Sequence, residues 1–226
     1  MTRPRLALFD CDGTLADSQH EITSGMIAAF IRCGLAAPTP ADIRTTIGLS
    51  LDRLVRHLAP SLDEDAQEEL ADTYREIYFE RRSAAGSAPE PLYDGIADAL
   101  DALRADGWLL GVATGKSQRG LIRLLTAHGL LDRFVTLQTA DFHPSKPDPS
   151  MCRAAIEQAG VAAADTVVIG DTGYDMVMAV KAGARAMGVE WGYHPVAELR
   201  RTGAEAIAEH PSALPALLNA LLETAR

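Results

Sequence analysis

Apolar residues gather along this chain in two kinds of pattern. A short unbroken apolar run occurs at residues 6–9, and similar, mainly apolar runs recur at 108–113, 134–137, 166–169 and 184–189. Runs this short and mainly apolar predict strands buried on both faces of a parallel sheet. Between the later runs the spacing changes to three and four. Ile96, Leu100 and Leu103 share one helical face, as do Leu121, Leu124 and Leu125, and then Ala155, Ile156 and Ala159. Gly107, Gly129 and Gly160 follow these stretches, where a helix C-terminus favours a residue able to adopt positive φ. Strands alternating with helices predict an α/β fold, a Rossmann-like parallel sheet covered on both sides.

From about residue 18 to residue 82 that rhythm stops. The stretch has no strand-like run and offers helical faces instead: Ile22, Met26, Ala29, Phe30 and Cys33; then Leu51, Leu54, Val55 and Leu58; then Leu70, Tyr74, Ile77 and Tyr78. Residues 83–91, rich in Ser, Ala, Gly and Pro, read as a linker. The pattern predicts an all-helical cap, residues 18–87, inserted between the first two strands of a core made of residues 1–17 and 88–226. Hinges are expected near residues 16–20 and 83–91. Leu214, Leu217, Leu218, Leu221 and Leu222 predict a last helix packed back on the core.

Composition narrows the functional classes. Of 226 residues 47% are hydrophobic, enough for a sizeable core. Lys and Arg total 21 against 31 Asp and Glu, a formal charge of −10. Such a surface repels nucleic acid and anionic membrane, so neither is expected as a partner, and an anionic substrate must be held by local charge. Cys11, Cys33 and Cys152 are odd in number and scattered, which is no disulfide framework and fits a reducing cytoplasm. No apolar run approaches a membrane span, and the run ending at Phe9 is too short for a signal core.

The polar residues that carry chemistry stand at the ends of the expected strands. Asp10-Cys-Asp12-Gly-Thr-Leu15 follows the first. Open parallel sheets place ligands at the carboxyl ends of their strands, and two carboxylates one residue apart there can converge on a hard cation such as magnesium. Helix-capping aspartates in a solvated loop are the alternative. Val112-Ala-Thr-Gly-Lys-Ser117 ends the second and offers a hydroxyl and helix N–H groups to an anion, or an ordinary N-cap at Thr114 or Ser117. Ser145-Lys-Pro-Asp-Pro149 mounts Lys146 in a proline-stiffened loop, or leaves it as a surface lysine. Val168-Ile-Gly-Asp-Thr-Gly-Tyr-Asp175 sets two more acids at a fourth strand end, where Asp171 or Thr172 could also start a helix.

These four segments, in this order and across nearly the whole chain, resemble the four motifs of the haloacid dehalogenase-like (HAD) hydrolases. The nearest likeness is to phosphoglycolate phosphatase-like members with a helical cap. That resemblance implies a phosphoric monoester hydrolase acting on a small phosphorylated metabolite, with 2-phosphoglycolate as the best guess. It implies that Asp10 is the nucleophile forming an aspartyl-phosphate, and Asp12 the general acid and then base. Magnesium would be held by Asp10, the Asp12 backbone carbonyl and Asp171, with Asp175 as an outer-shell acid. Thr114 and Gly115 would bind phosphoryl oxygens, and Lys146 would neutralise charge on nucleophile and phosphate.

Two positions depart from the family pattern. Gly115 stands where many relatives have Asn or Ser, so a side-chain contact is lost there. Cys11 stands where many have a bulkier apolar residue; strand alternation turns it away from the carboxylates, as a small buried hydrophobe rather than a catalytic thiol. Several rivals follow from the same residues. A sugar-phosphate phosphomutase usually carries an Arg in the cap loop, which here reads Thr46-Ile-Gly-Leu-Ser-Leu51. Phosphonate hydrolysis would want a cap lysine, and residues 18–82 contain none. A dehalogenase would have no leaving-group proton for Asp12 to supply. A phospho-accepting receiver domain would need no cap of this length, and a non-catalytic binding relative would be expected to have lost Asp10 or Asp12. Arg53, Arg56 and His57 could face substrate from the cap or form a solvated helix face; His20 and His143 show no zinc spacing.

Overall fold

The structure is a computed structural model that describes residues 3–83 and 88–223. Residues 84–87, the middle of the expected linker, lie outside the described residues.

The first strand, β1 (Arg5–Phe9), shows why the apolar run at residues 6–9 is unbroken. Its side chains alternate between two cores. Ala7 and Phe9 enter one, with α5 (Ile96–Ala105), α6 (Gln118–Ala127) and α10 (Leu214–Glu223). Leu6 and Leu8 enter the other, with α7 (Ser150–Ala159), α8 (Gly173–Ala182) and α9 (Val196–Thr202). A strand covered on both faces needs apolar residues at every position. The remaining strands are β2 (Trp108–Thr114), β3 (Thr136–Thr139), β4 (Thr166–Gly170), β5 (Arg185–Val189) and β6 (Ala206–Ala208). All pair in parallel, in the order β3-β2-β1-β4-β5-β6. The order reverses around β1, so β1, β2 and β4 end beside one another, where open sheets of this kind bind ligands.

Two expectations change. The third strand begins two residues later than the run at 134–137. Leu131–Arg133 forms a 3-10 turn, Val135 is exposed, and the ladder to β2 starts at Gly111 and Thr136. Its polar residues are buried because they satisfy one another: the Thr136 hydroxyl donates to Gln158 Oε1 and accepts from Gln138 Nε2, each at 2.8 Å. The second change is β6, whose three residues are too few to show a period.

Between β1 and α5 lie α1 (Gln19–Arg32), α2 (Pro40–Arg44), α3 (Leu51–Leu58) and α4 (Glu64–Ser83). Ile22, Met26, Ala29 and Phe30 of α1 meet Leu54 and Val55 of α3 and Leu70 and Ile77 of α4 in a separate core. The short α2 carries a reciprocal cap, with Thr39 and Asp42 each accepting from the other's backbone N–H. The two chain connections at the base of this helical cap run side by side: Asp17 N donates to the Pro91 carbonyl at 2.9 Å and Tyr93 N to the Leu15 carbonyl at 3.1 Å.

Candidate active site

All four strand-end segments converge. Asp10 and Asp12 follow β1, Thr114 ends β2, Lys146 lies in the loop after β3, and Asp171 follows β4 with Asp175 on α8. Asp10 is fully buried. Its Oδ1 accepts from the Cys11 N–H at 2.6 Å and lies 2.8 Å from Lys146 Nζ. Its Oδ2 is buried with no hydrogen-bond partner among the described residues. Lys146 is completely enclosed and also meets Asp175 Oδ1 at 2.6 Å. The other Asp175 oxygen accepts from the Thr172 N–H and hydroxyl, because Thr172 is the N-cap of α8 and Asp175 completes its capping box. Capping and charge pairing are thus both served by one residue.

Asp171 is held by the Thr14 hydroxyl at 2.9 Å and the Tyr193 N–H at 3.0 Å, one to each oxygen. The backbone wraps it closely. Gly13, at φ +95°, passes so near that an added Cβ would lie 2.6 Å from Asp171 Cγ. Only glycine combines that conformation with that approach.

Ligand oxygens of Asp10, Asp171 and Asp175 lie within 4.8 Å of one another. If all three buried carboxylates were ionised, they would exceed the single ammonium of Lys146 by two negative charges, which a divalent cation would balance. Burial pushes the Asp10 carboxyl up to about 7, with Asp175 and Asp12 adding to the shift against the pull of Lys146. Burial, then the Asp10 and Asp175 charges, push Asp171 well above the usual carboxylate range. An orphaned buried oxygen amid hard oxygen donors fits magnesium. The Asp12 carboxylate is not in this cluster, so Asp12 could join a metal only through its backbone.

Asp12 faces elsewhere, and its partner was not foreseen. Lys116 Nζ lies 2.9 Å from Asp12 Oδ1 and 3.7 Å from Glu90 Oε1, with all three side chains nearly enclosed. Glu90 accepts from the Tyr78 hydroxyl at 2.8 Å and pairs with Arg82 at 3.1 Å, and Arg82 pairs with Glu21 at 3.1 Å. Burial alone would raise Glu90; Lys116, the backbone, Tyr78 and Arg82 outweigh it and hold the carboxyl below its ordinary value. The chain of charges therefore runs from both ends of the cap to Asp12. One sequence signal pointed there: Lys116 precedes the N-cap Ser117 of α6, and a cation at that positive helix end calls for an anion beside it. Lys116→Met leaves Asp12 and Glu90 without their shared cation. The expected result is a kcat lower by about 10²-fold and a loss of about 3 kcal/mol in unfolding free energy. Lys116→Arg should recover part of both, as read by steady-state kinetics and denaturant melts.

Thr114 is fully buried at the site, its hydroxyl accepting from the Lys116 N–H at 3.2 Å. The cap loop explains Gly115. A Cβ there would collide with the Leu49 carbonyl oxygen and lie 2.9 Å from that of Gly48. The space a side chain would take at residue 115 is filled by cap backbone. Ser50 N also donates to Ser145 Oγ at 2.8 Å, so the loop rests on the core. Cys11 is buried in the core beneath α5, and burial, with the Asp12 charge, pushes its thiol well above its ordinary value. His143 is bonded to Gln138 Oε1.

Comparison with known proteins identifies the family of the chain. The profile of the family described as haloacid dehalogenase-like hydrolase matches residues 7–189. The chain is 34% identical to a Dickeya dadantii protein named probable phosphatase IndB over 220 residues, 96% of this chain and 95% of that protein. It is 32% identical to a phosphoglycolate phosphatase of Xylella fastidiosa over 191 residues, 84% of this chain and 82% of that protein. The crystal structure of a predicted phosphatase from Clostridium acetobutylicum superposes with a TM-score of 0.83 at 27% identity, covering 98% of this chain and all of that one (100%).

Proposed function

The chain belongs to the haloacid dehalogenase-like hydrolases and is a phosphatase, and we propose that it hydrolyses a small phosphomonoester, 2-phosphoglycolate foremost, with magnesium and through an aspartyl-phosphate on Asp10. The observation that carries this reading is the buried Asp10, with one oxygen anchored and the other unpartnered, beside Asp171 and Asp175 and the single ammonium of Lys146. Asp10, the Asp12 carbonyl and Asp171 would hold the metal, with Asp175 behind them. Bound there, magnesium would offset the negative charge of carboxylates and phosphate.

The chain's own residues do the rest. An Asp10 oxygen attacks phosphorus, the phosphorus–oxygen ester bond breaks, and Asp12 gives its proton to the departing oxygen. Water then attacks the phosphoryl group. Asp12 takes the water's proton, and free phosphate and the Asp10 carboxylate are regenerated. Thr114 and the Gly115 N–H hold phosphoryl oxygens, while Lys146 offsets charge on nucleophile and phosphate. Residues 18–87 act as the cap domain, turning on the paired connections at Asp17 and Pro91 to exclude water. The phosphoglycolate phosphatases among its relatives support the substrate assignment, and three free cysteines fit a reducing cytoplasm.

Phosphate release from a panel of phosphorylated metabolites, with and without magnesium, tests the reading. Magnesium-dependent release led by 2-phosphoglycolate is expected. Transfer between sugar phosphates without release would replace it with a phosphomutase. Cys11→Ala separates thiol from carboxylate chemistry: kcat should stay within about twofold, with a loss of about 1 kcal/mol from the vacated core volume.

A further inference from the structure

Glu90 is a buried carboxylate that no step of the reaction touches. It lies on the second connection between cap and core, only 6% exposed. Its side chain accepts from the Tyr78 hydroxyl and pairs with Arg82, and its carbonyl accepts from His128 Nε2 at 2.8 Å. Arg82 is itself fixed, by Glu21 and by the Ala88 carbonyl at 2.5 Å. Groups on α1 and α4 and at the end of α6 thus hold this carboxylate in one place, directly or through Arg82. Burying an ion pair adds little net stability, so its enclosure has another reason. The remaining partner of Glu90 is the Lys116 ammonium, at 3.7 Å.

Asp12 is held quite differently. Lys116 Nζ lies 2.9 Å from its Oδ1, yet that oxygen is buried and makes no hydrogen bond among the described residues. No other cation pairs with Asp12 among the described residues. The contact is one of charge, and charge alone fixes no direction. Where the Asp12 carboxylate stands therefore follows from where the ammonium stands. A lysine ammonium on a flexible four-carbon stem does not place itself. Here it lies between the two carboxylates and 5.8 Å over the ring of Tyr78, whose hydroxyl is bonded to Glu90. Of the two carboxylates only that of Glu90 is anchored by other side chains. The order of dependence runs from Glu90 to Lys116 to Asp12.

We propose that Glu90 is a positioning residue for Asp12, acting through Lys116 and setting how well Asp12 delivers its proton to the departing ester oxygen; the proposal rests on the phosphatase reading above. As an Asp10 oxygen bonds to phosphorus, the ester bond breaks and its electron pair goes to the leaving oxygen. An alkoxide is too basic to depart without the Asp12 proton, whereas 4-nitrophenolate departs carrying the charge. A misplacement of about 1 Å at a reacting group costs about 10²-fold. Loss of Glu90 is therefore felt in proportion to the leaving group's need for a proton.

The test uses the full chain with magnesium and two esters: 4-nitrophenyl phosphate and the alkyl phosphate that the protein cleaves fastest, expected to be 2-phosphoglycolate. Asp12 also activates water in the second step for every ester. The comparison is therefore made on kcat/KM, which covers the steps through departure of the leaving group. Glu90→Gln should lower kcat/KM about tenfold or more for the alkyl ester and less than about threefold for the aryl ester. Glu90→Asp should show the same bias at smaller amplitude, and it carries the comparison should Glu90→Gln fail to fold. Glu80→Gln, the same exchange in an exposed pair with Arg32, should leave both values unchanged. Equal losses on the two esters, no loss on either, the same bias in Glu80→Gln, or a wild-type protein that cleaves only the aryl ester overturns the positioning role and leaves the phosphatase reading standing. Absence of phosphate release from every ester overturns both.

Discussion

Asp10→Asn should abolish turnover and at the same time make the metal-free protein harder to unfold at alkaline pH. The first effect follows from geometry. Asn keeps the shape of the side chain and can still accept from the Cys11 N–H, yet its amide is no nucleophile toward phosphorus. Loss of a covalent nucleophile lowers kcat by at least about 10⁴-fold in comparable enzymes. The second effect follows from linkage. Burial holds the folded Asp10 carboxyl at about 7, above its ordinary 3.8, so the folded protein binds this proton more tightly than the unfolded chain does. Stability is therefore lost as pH rises from about 4 to about 7, and the whole penalty applies above that. Asn carries no such penalty. Coupling to Lys146 and relaxation of the site reduce the gain to the order of 1–2 kcal/mol at pH 8, a rise of about 2–8 °C in melting temperature. Near pH 4 the gain should vanish. Melts in chelator at both pH values measure it, and a variant less stable than wild type at pH 8 would contradict the charge imbalance drawn for this site. Added magnesium should reverse the ranking, because a ligand at 100 times its dissociation constant stabilises by about 2.7 kcal/mol and the wild-type site binds it better.

The fold could be read from the chain because its main determinants are local. The unbroken apolar run at residues 6–9 identifies a strand covered on both faces, and the structure divides those residues between two cores. The helical cap was visible as a stretch without strand runs, since Met26, Val55 and Leu70 recur at helical spacing and meet in one cluster. Where propensity and tertiary packing parted, the reading failed. The apolar Phe134 and Val135 look more strand-like than Thr136 to Thr139, yet the polar residues hold the ladder because Gln158 on α7 completes their hydrogen bonds. That partner is distant in sequence and leaves no mark on the local pattern.

The same division runs through the site. Acids at strand ends are legible because the sheet itself brings strand ends together, and Lys146 reaches Asp10 from the loop after β3, across the end of β2. Of the charges that connect Asp12 to the cap, only Lys116, beside the N-cap of α6, leaves a local signal in the chain. Glu21, Arg82 and Glu90 lie at the two junctions between cap and core, and Lys116 lies on the core. Their meeting depends on how the cap is seated. Each looks like an ordinary solvated charge until the packing encloses it. The physical consequence is that the acid–base residue and the cap junctions share one set of ion pairs, so a change in cap position would reach Asp12 through Glu90 and Lys116.

Lys146→Met should be the most damaging single substitution to both stability and activity. The side chain is fully enclosed and its ammonium contacts Asp10 at 2.8 Å and Asp175 at 2.6 Å. Those carboxylates hold the ammonium well above the usual lysine range, against a burial that alone would lower it. Removing one member of a buried ion pair typically costs about 3–5 kcal/mol, because the remaining charge has neither solvent nor partner. For a chain of this size that is a fall of roughly 6–20 °C in melting temperature. A surface lysine in a proline-rich turn, the other reading of the Ser145–Pro149 string, would give a change within about 0.5 kcal/mol. The pH dependence separates the two further. Without the ammonium, Asp10 is raised further still and takes up a proton on folding, so the defect should shrink near pH 5 and grow toward pH 8. Magnesium should restore much of the lost stability by supplying positive charge to the acidic cluster. It should not restore turnover, since the cation that faces both the Asp10 oxygen and the incoming phosphate is gone. Melting curves at pH 5 and pH 8, with and without magnesium, alongside phosphate release, measure all of this. A variant whose stability is independent of pH, or whose activity returns with metal, would mean that Lys146 does not hold the charge of this site.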